Sequence, residues 1–548
     1  MILDANELED GTAFRADICI VGAGAAGITL ALRLMDSGKA VLLLESGGER
    51  VEGATQLLCG GEVADPALHP PPDKYRQRRL GGTTGIWGGR CVPFDGVDFE
   101  RRPWIEGSGW PFGLGELLPY YAEANRLCEA GRFAYTAGEA FPAGGARPIV
   151  EGFRGRYFTQ DGLERFSLPT DFGRRYRTRL SSSRDVRVLL HANATELRTD
   201  TAGNVAEVAI KTLGGKVLSA RAGCFVLAMG GLETPRLLLA SRDRHAEGIG
   251  NAHDWVGRTY MCHIAGTLGE IGIAGAVWHG YEVSQEGVYC RRRFALTAAA
   301  QRSLGVGNFV ARLHHPRIPD PVHRTGALSA LYLAKPLISY EYRKRLHGED
   351  AASAAALGRH VRNIVLDPLG TAGFLVHWAR KRTFAERKFP SIIVRPKANL
   401  YSIEFNAEQE PNRDSRVRLT PERDQLGMPR LSVDWRYTSG DMRTVREAVR
   451  VLAEDLQASG AGRLAYDPEA VAAHALRDGA LGGHHIGTTR MAASASQGVV
   501  DADCRVHGVQ NLYVAGSSVF PTSSQANPTL TICAMAVRLA DHLRRRAA

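Results

Sequence analysis

The feature that most constrains this chain lies between residues 16 and 45. Residues 16–21 (ADICIV) form a short apolar, β-branched run of the kind that makes a buried parallel strand. Gly22-Ala23-Gly24-Ala25-Ala26-Gly27 follows at once, and Ile28, Leu30, Leu32 and Leu34 continue as a helix. Ser37-Gly38 ends that helix, residues 40–44 give a second strand, and Glu45 stands at its end. A strand, glycine turn, helix and strand in about thirty residues is a complete βαβ unit. Its glycines permit a tight turn and let backbone approach a pyrophosphate, whose charge sits at the helix N-terminus. Glu45 is suited to accept hydrogen bonds from adenosine ribose hydroxyls, and its carboxylate disfavours a 2′-phosphate. Gly22, Gly24, Ala25, Ala26, Gly27 and Glu45 are therefore candidate dinucleotide contacts, with FAD and NAD both open at this point.

A chain of 548 residues is too long for one ordinary core, so two lobes are expected. Hydrophobic content of 44% and charged content of 23% are those of a soluble globular protein. The net charge of +10 is modest over this length and no nucleic-acid-binding motif accompanies it, so no nucleic-acid partner is expected. Nine scattered cysteines form no CxxC pair, and residues 1–15 are acidic, without the basic and apolar regions of an export signal. Free thiols and a cytoplasmic location follow as expectations. No window of about 18 uncharged apolar residues exists, which argues against a transmembrane segment. No His, Cys or Asp cluster has metal-ligand spacing and no GxSxG elbow is present, so no metal is expected.

Further along, residues 73–98 are rich in Gly, Arg and Thr, with Leu80-Gly81-Gly82-Thr83-Thr84-Gly85-Ile86-Trp87-Gly88-Gly89 at their heart. So much glycine builds a loop wrapped on a ligand rather than a core. Residues 185–230 form a strand-rich return with strands at 186–191, 205–212, 216–220 and 224–229. The last runs into Gly230-Gly231-Leu232-Glu233-Thr234-Pro235 and a helix over 236–241. Residues 265–470 differ in texture, with alternating stretches at 391–395 and 400–407. They also hold a basic stretch of helical spacing over 340–387, read as a solvated face, and a helix at 441–457. Dense signals return after residue 480. Cofactor-like motifs at both ends imply a discontinuous cofactor domain with a second domain inserted.

The C-terminal pattern is Gly482-Gly483-His484-His485-Ile486-Gly487-Thr488-Thr489-Arg490-Met491, then Asn511-Leu512-Tyr513-Val514-Ala515-Gly516-Ser517 and Ala526-Asn527-Pro528-Thr529. With the βαβ unit and the 81–89 loop, it closely resembles the glucose-methanol-choline (GMC) oxidoreductase family, in order over nearly the whole chain. The ending is similar to bacterial enzymes near pyranose oxidase, glycoside oxidases and the flavin subunits of sugar dehydrogenases. The resemblance implies FAD as cofactor and an α/β, GMC-type two-domain fold. A Rossmann-like FAD-binding domain would span 1–110, 185–264 and 476–548. An inserted antiparallel-sheet-plus-helices substrate domain would span 265–475, and a lid or substrate-side segment 111–184.

Carried over residue by residue, the resemblance places His484 at the catalytic-base position, with His485 as its alternative. Hydride leaves readily only from an alkoxide-like carbon, and imidazole titrates near working pH, so His484 would take the hydroxyl proton while hydride passes to flavin N5. Asn527 takes the second catalytic position, its amide donating to the substrate oxygen. Asn527 and Pro528 also suit a helix start as N-cap and N1. Gly82, Thr83, Thr84, Trp87, Gly88, Gly89, Ala194, Gly516, Ser517, Pro528 and Thr529 complete the cofactor contacts that the resemblance implies. Pyranose oxidases attach flavin to a His just before the loop Trp; here Ile86 precedes Trp87, which implies noncovalent FAD. His507 is read as structural, and so is His263, although it resembles a family position near the flavin. The expected activity is oxidation of a CH–OH group on a sugar, glycoside or polyol. Oxygen, a quinone and a redox protein are all open as electron acceptor. The alternatives are an aliphatic, aryl or steroid-like alcohol as substrate, a non-redox lyase on the same fold, and a flavin monooxygenase or NAD(P)H-linked reductase.

Overall fold

The computed structural model describes residues 1–144, 146–337, 353–394, 400–477 and 480–546. Its central layer is a largely parallel sheet whose middle strands are β1 (Ala13–Val21), β2 (Val41–Leu44), β3 (Val186–Leu190) and β4 (Val217–Leu227). They lie in the spatial order β3-β2-β1-β4, with Ile2–Asp4 beyond β3. Consecutive residues Ile18 to Val21, and all of β2, are buried, so both sheet faces are covered, as their unbroken apolar runs require. Helix α1 (Ala25–Leu34) follows β1, and α2 (Gly230–Ala240) follows β4.

The expected pair of strands at 216–220 and 224–229 is one continuous strand. β4 pairs with β1 in a single register from Ser219 to Leu227 and changes partner only on its other edge. There its first half meets Val205–Lys211 antiparallel, while residues 225–227 meet a late strand in parallel. α2 likewise begins six residues before the expected start.

The second layer is antiparallel. It is centred on β5 (Met261–Ile273), which pairs with β6 (Leu400–Ala407) on one edge. Beyond β6 lie Phe309–His314, Phe294–Leu296 and Phe158–Thr159. Helix α3 (Ser439–Ala458), started by a Thr438–Asp441 capping box, lays Val445, Ala448, Val449, Leu452 and Leu456 onto this sheet's core. The free edge of β5 takes Gly462–Ala465 at one end and β7 (Ala480–Ile486) at the other. The chain then returns to the first sheet as β8 (Leu512–Val514), the late partner of β4. It ends in α4 (Thr529–Arg546), which packs between α1 and Leu114–Leu127.

Residues 391–394 adopt no strand, and residue 395 lies outside the described residues. Of the expected basic helical stretch, 340–352 lies outside them too. The remainder forms Ala354–Leu366 and Pro368–Trp378.

Candidate active site

The C-terminal ends of β1, β2, β4 and β8 deliver Gly22, Glu45, Gly230 and Gly516 to one side of the sheet, where open α/β sheets bind ligands. All four line a cavity of about 850 Å³ that runs on beneath the antiparallel sheet. The first turn has two kinds of glycine. A Cβ on Gly22 (φ +104°) would meet Ala228 O at 2.6 Å, and one on Gly27 would meet Gly22 O at 1.9 Å, so backbone packing demands both. At Gly24, Gly88, Gly230 and Gly516 a Cβ would meet nothing within 4 Å, so the protein itself leaves that space open. Gly24 caps α1 without a side-chain hydrogen bond, which leaves amides of its first turn directed at this space.

Glu45 Oε2 accepts from the Ala23 amide at 2.9 Å and Oε1 from the Gly47 amide at 3.0 Å. Burial pushes its carboxyl up, against the pull of those amides. Ala192 donates to Glu45 O at 2.8 Å, and Ala194, two residues on, lines the same cavity. The 81–89 loop closes directly on the first turn, because a Cβ on Gly82 would come within 3.1 Å of Gly24 Cα. Thr84 Oγ1 donates to Gly81 O at 2.6 Å and accepts from the Phe172 amide. Trp87 Nε1 donates to Thr170 O at 2.9 Å. The residues named from sequence as cofactor contacts line this cavity, save Gly27, whose closeness to Gly22 makes it a packing glycine.

His484 and His485 sit on a bulge. Between the pairs Met261–Ile486 and His263–Leu481, residues 482–485 of β7 stand opposite Cys262 alone. Gly483 makes the bulge possible, at φ +59° and with its Cβ position only 2.3 Å from Tyr75 Cβ. The β7 strand is also tied to α2. Pro235 lacks the amide that would bond Gly231 O, and Thr488 Oγ1 donates to that carbonyl instead, at 2.6 Å.

His484 Nε2 accepts from Asn527 Nδ2 at 3.1 Å, and its Nδ1 is 2.7 Å from His263 Nδ1. His263 Nε2 lies 3.2 Å from Ser523 O. Burial pushes His263 down to about 4, so it is neutral at working pH and carries one ring proton. A carbonyl only accepts, so that proton sits on Nε2. His263 Nδ1 must then accept, and His484 Nδ1 must donate to it. A neutral His484 consequently turns an unprotonated Nε2 toward Asn527 and the cavity. Ser523 is itself held, since its Oγ donates to Gln409 O at 3.0 Å and accepts from the Gln409 amide at 2.9 Å.

His485 has other partners. Its Nδ1 is 2.6 Å from the Tyr260 hydroxyl, its Nε2 is buried without a hydrogen-bond partner among the described residues, and burial holds it well below the ordinary imidazole range. Tyr260 OH also lies 2.8 Å from His69 Nε2 and 3.3 Å from Cys262 Sγ. The donor atoms of His69, Cys262 and His485 fall within 4.8 Å of one another, a convergence that no sequence spacing announced. The tyrosine hydroxyl among them makes this a hydrogen-bonded cluster. His507 meets Ala492 O at 3.2 Å, and Ile86 lines the cavity.

The far end of the cavity comes mostly from residues 265–470, joined by Arg90 from just beyond the 81–89 loop. Glu404, Asn406, His314, Arg90, Tyr281 and Trp378 line it. Arg90 and Arg291 stand 3.8 and 3.6 Å from the Glu404 carboxylate. Sequence reasoning missed these residues, although the polar side chains at alternate positions 402, 404 and 406 of one strand were a signal.

Comparison with known proteins finds relatives along nearly the whole chain. Residues 411–536 match the family model described as GMC oxidoreductase. The paromamine 6′-oxidase of Streptomyces fradiae is 26% identical, over 96% of this chain and 90% of that one. The fructose dehydrogenase large subunit of Gluconobacter japonicus is 23% identical, over 96% and 97%. Among solved structures, pyridoxine 4-oxidase from Mesorbium loti superposes with a TM-score of 0.57 at 18% identity, covering 96% of this chain and 99% of that one.

Proposed function

We propose that this chain, a GMC oxidoreductase by its C-terminal domain and its fold, oxidises a CH–OH group with His484 as base. The observation that carries this reading is the chain Ser523 O–His263–His484–Asn527 at the wall of a glycine-lined cavity. The open space at Gly24, Gly88 and Gly516 and the uncapped start of α1 fit the phosphates and ring system of FAD. Bound FAD supplies the acceptor for a hydride. The protein's own part is to hold the substrate hydroxyl at His484 Nε2, take its proton there, and keep its oxygen near the Asn527 amide as negative charge develops. The His263 ring accepts the Nδ1 proton's hydrogen bond, and that bond strengthens as His484 becomes an imidazolium.

A sugar, glycoside or polyol is the favoured substrate. The aminoglycoside and fructose enzymes among the relatives support this, as does the mixed wall of Glu404, Asn406, His314 and Arg90 beside Tyr281 and Trp378. Ile86 offers no nucleophile to the flavin, which supports noncovalent FAD. A cytoplasmic location is part of the same reading, supported by nine free cysteines. The test is anaerobic mixing of the yellow protein with sugars, glycosides, polyols and alcohols. Bleaching by one of these classes is expected. A flavin that no alcohol bleaches would overturn the reading in favour of a non-redox activity on the same fold, and bleaching by NAD(P)H would favour a reductase.

A further inference from the structure

The two helices Ala354–Leu366 and Pro368–Trp378 are built inside out. The first buries polar residues. His360 Nδ1 lies 3.0 Å from Ser329 Oγ, and Asn363 Nδ2 donates to Ser329 Oγ and to Pro321 O at 3.1 and 2.9 Å. Its apolar residues Leu357, Val361 and Val365 recur every four positions on the opposite face and are 40, 51 and 68% exposed. The second buries Thr371 while Leu369 is 87% exposed, and Phe384 just beyond is 82% exposed. Eleven of the twenty exposed large hydrophobics among the described residues fall between Val322 and Phe384. Such concentration is foreign to a face that meets only water.

The same segment is strongly basic. Arg359, Arg362, Arg380, Lys381, Arg382, Arg387 and Lys388 stand against Asp367 and Glu386, so residues 353–389 hold +5 of the chain's net +10. Arg359, Arg362, Arg380, Lys381 and Lys388 are exposed. A second copy of this face would oppose like charges, whereas apolar side chains rimmed by cations suit an anionic lipid interface. At about 1.5 Å per residue, helices of 13 and 11 residues reach about 20 and 16 Å, short of a bilayer core of about 30 Å. Among the described residues no helix is long and apolar enough to cross a membrane, so these would lie on the surface.

We propose that the outward face of Ala354–Leu366 and Pro368–Trp378, with the basic segment after it, docks on an anionic lipid surface. Phe374 and Trp378 on the second helix line the cavity, so the docked face borders the route into the active site. An anionic leaflet faces the cytoplasm, in keeping with the location proposed above.

Flotation of the full-length flavoprotein with vesicles tests this. Phosphatidylcholine vesicles containing phosphatidylglycerol should carry the protein up at low salt. Pure phosphatidylcholine, or high salt, should carry several-fold less. The triple variant Val365→Ser, Leu369→Ser, Phe384→Ser should lose at least tenfold in partitioning, with flavin content and melting temperature unchanged because those side chains are exposed. The pair Arg380→Ser, Lys381→Ser should lose several-fold on anionic vesicles only. Failure of the wild type to float with anionic vesicles at low salt would overturn the proposal, as would unchanged binding by the triple variant. Concentration-dependent self-association that the triple variant abolishes, without vesicle binding, would overturn it in favour of a contact between copies.

Discussion

Replacing His263 with leucine tests whether the base is set by its neighbours. Leucine removes the acceptor 2.7 Å from His484 Nδ1, so the ring loses the bond that fixes its tautomer and stabilises its protonated form. A hydrogen bond to a charged group contributes about 1.5–3 kcal/mol. At about 1.4 kcal/mol per factor of ten, flavin reduction should slow roughly 10- to 100-fold. The pH profile of reduction should move in the direction of a weaker base, because the imidazolium is what loses support. Asparagine places an oxygen where His263 Nδ1 now lies, so His263→Asn should recover most of the rate while still lacking the contact to Ser523. The assay is anaerobic stopped-flow reduction across pH, using the best substrate from the bleaching panel. A leucine variant with wild-type rate and unshifted pH profile would show that His263 only fills space. Equal losses in the leucine and asparagine variants would deny the tautomer argument.

Five other outcomes are expected. His484→Ala should slow flavin reduction by about 10²- to 10⁴-fold and Asn527→Ala by about 10²- to 10³-fold, with flavin still bound; near-normal reduction in His484→Ala would move the base to His485. Gly24→Val adds a side chain where a Cβ meets no protein atom, so it should fold and melt with the flavin-stripped wild type, yet purify with little flavin absorbance. Acid precipitation should leave yellow colour in the supernatant, and colour retained in the pellet would contradict noncovalent FAD. His263 is held at about 4 against 6.5 in the unfolded chain, so between these values only the unfolded chain takes up that proton. Its neutral form therefore supports the fold fully above pH 6.5 and loses about 3 kcal/mol of that support as pH falls to 4. Denaturant titrations should show this slope flattened in His263→Leu.

What could be read from sequence was local. The turn Gly22 to Gly27, the strand ending at Glu45 and the loop Gly82 to Gly89 are contiguous, and their chemistry follows from a few backbone angles that neighbouring residues impose. The βαβ pattern has a fixed period and a fixed hand, so it carries its own tertiary consequence: the glycines must gather at one end of a parallel sheet. Even here a boundary moved. β4 runs unbroken because β1 pairs along its length, and pairing is not visible in a single strand's composition.

The pair His484 and Asn527 was legible as a resemblance, but the contacts that orient the His484 ring were not. They depend on His263, 221 positions away, and on Ser523 beyond it. Those contacts are fixed by how β5 and β7 register, with residues 482–485 bulged against Cys262. One residue of slip would turn each side chain to the other face, and no periodicity along either strand encodes that offset. The same holds for Tyr260 among His69, Cys262 and His485, and for Glu404 and Asn406 at the far end of the cavity. The sequence alone therefore determined the glycine-rich turn and loop that line the cavity, and it singled out His484. Tertiary structure alone decided that histidine's hydrogen-bond partners and the walls around it, because both arise from side chains brought together by strand pairing across hundreds of residues.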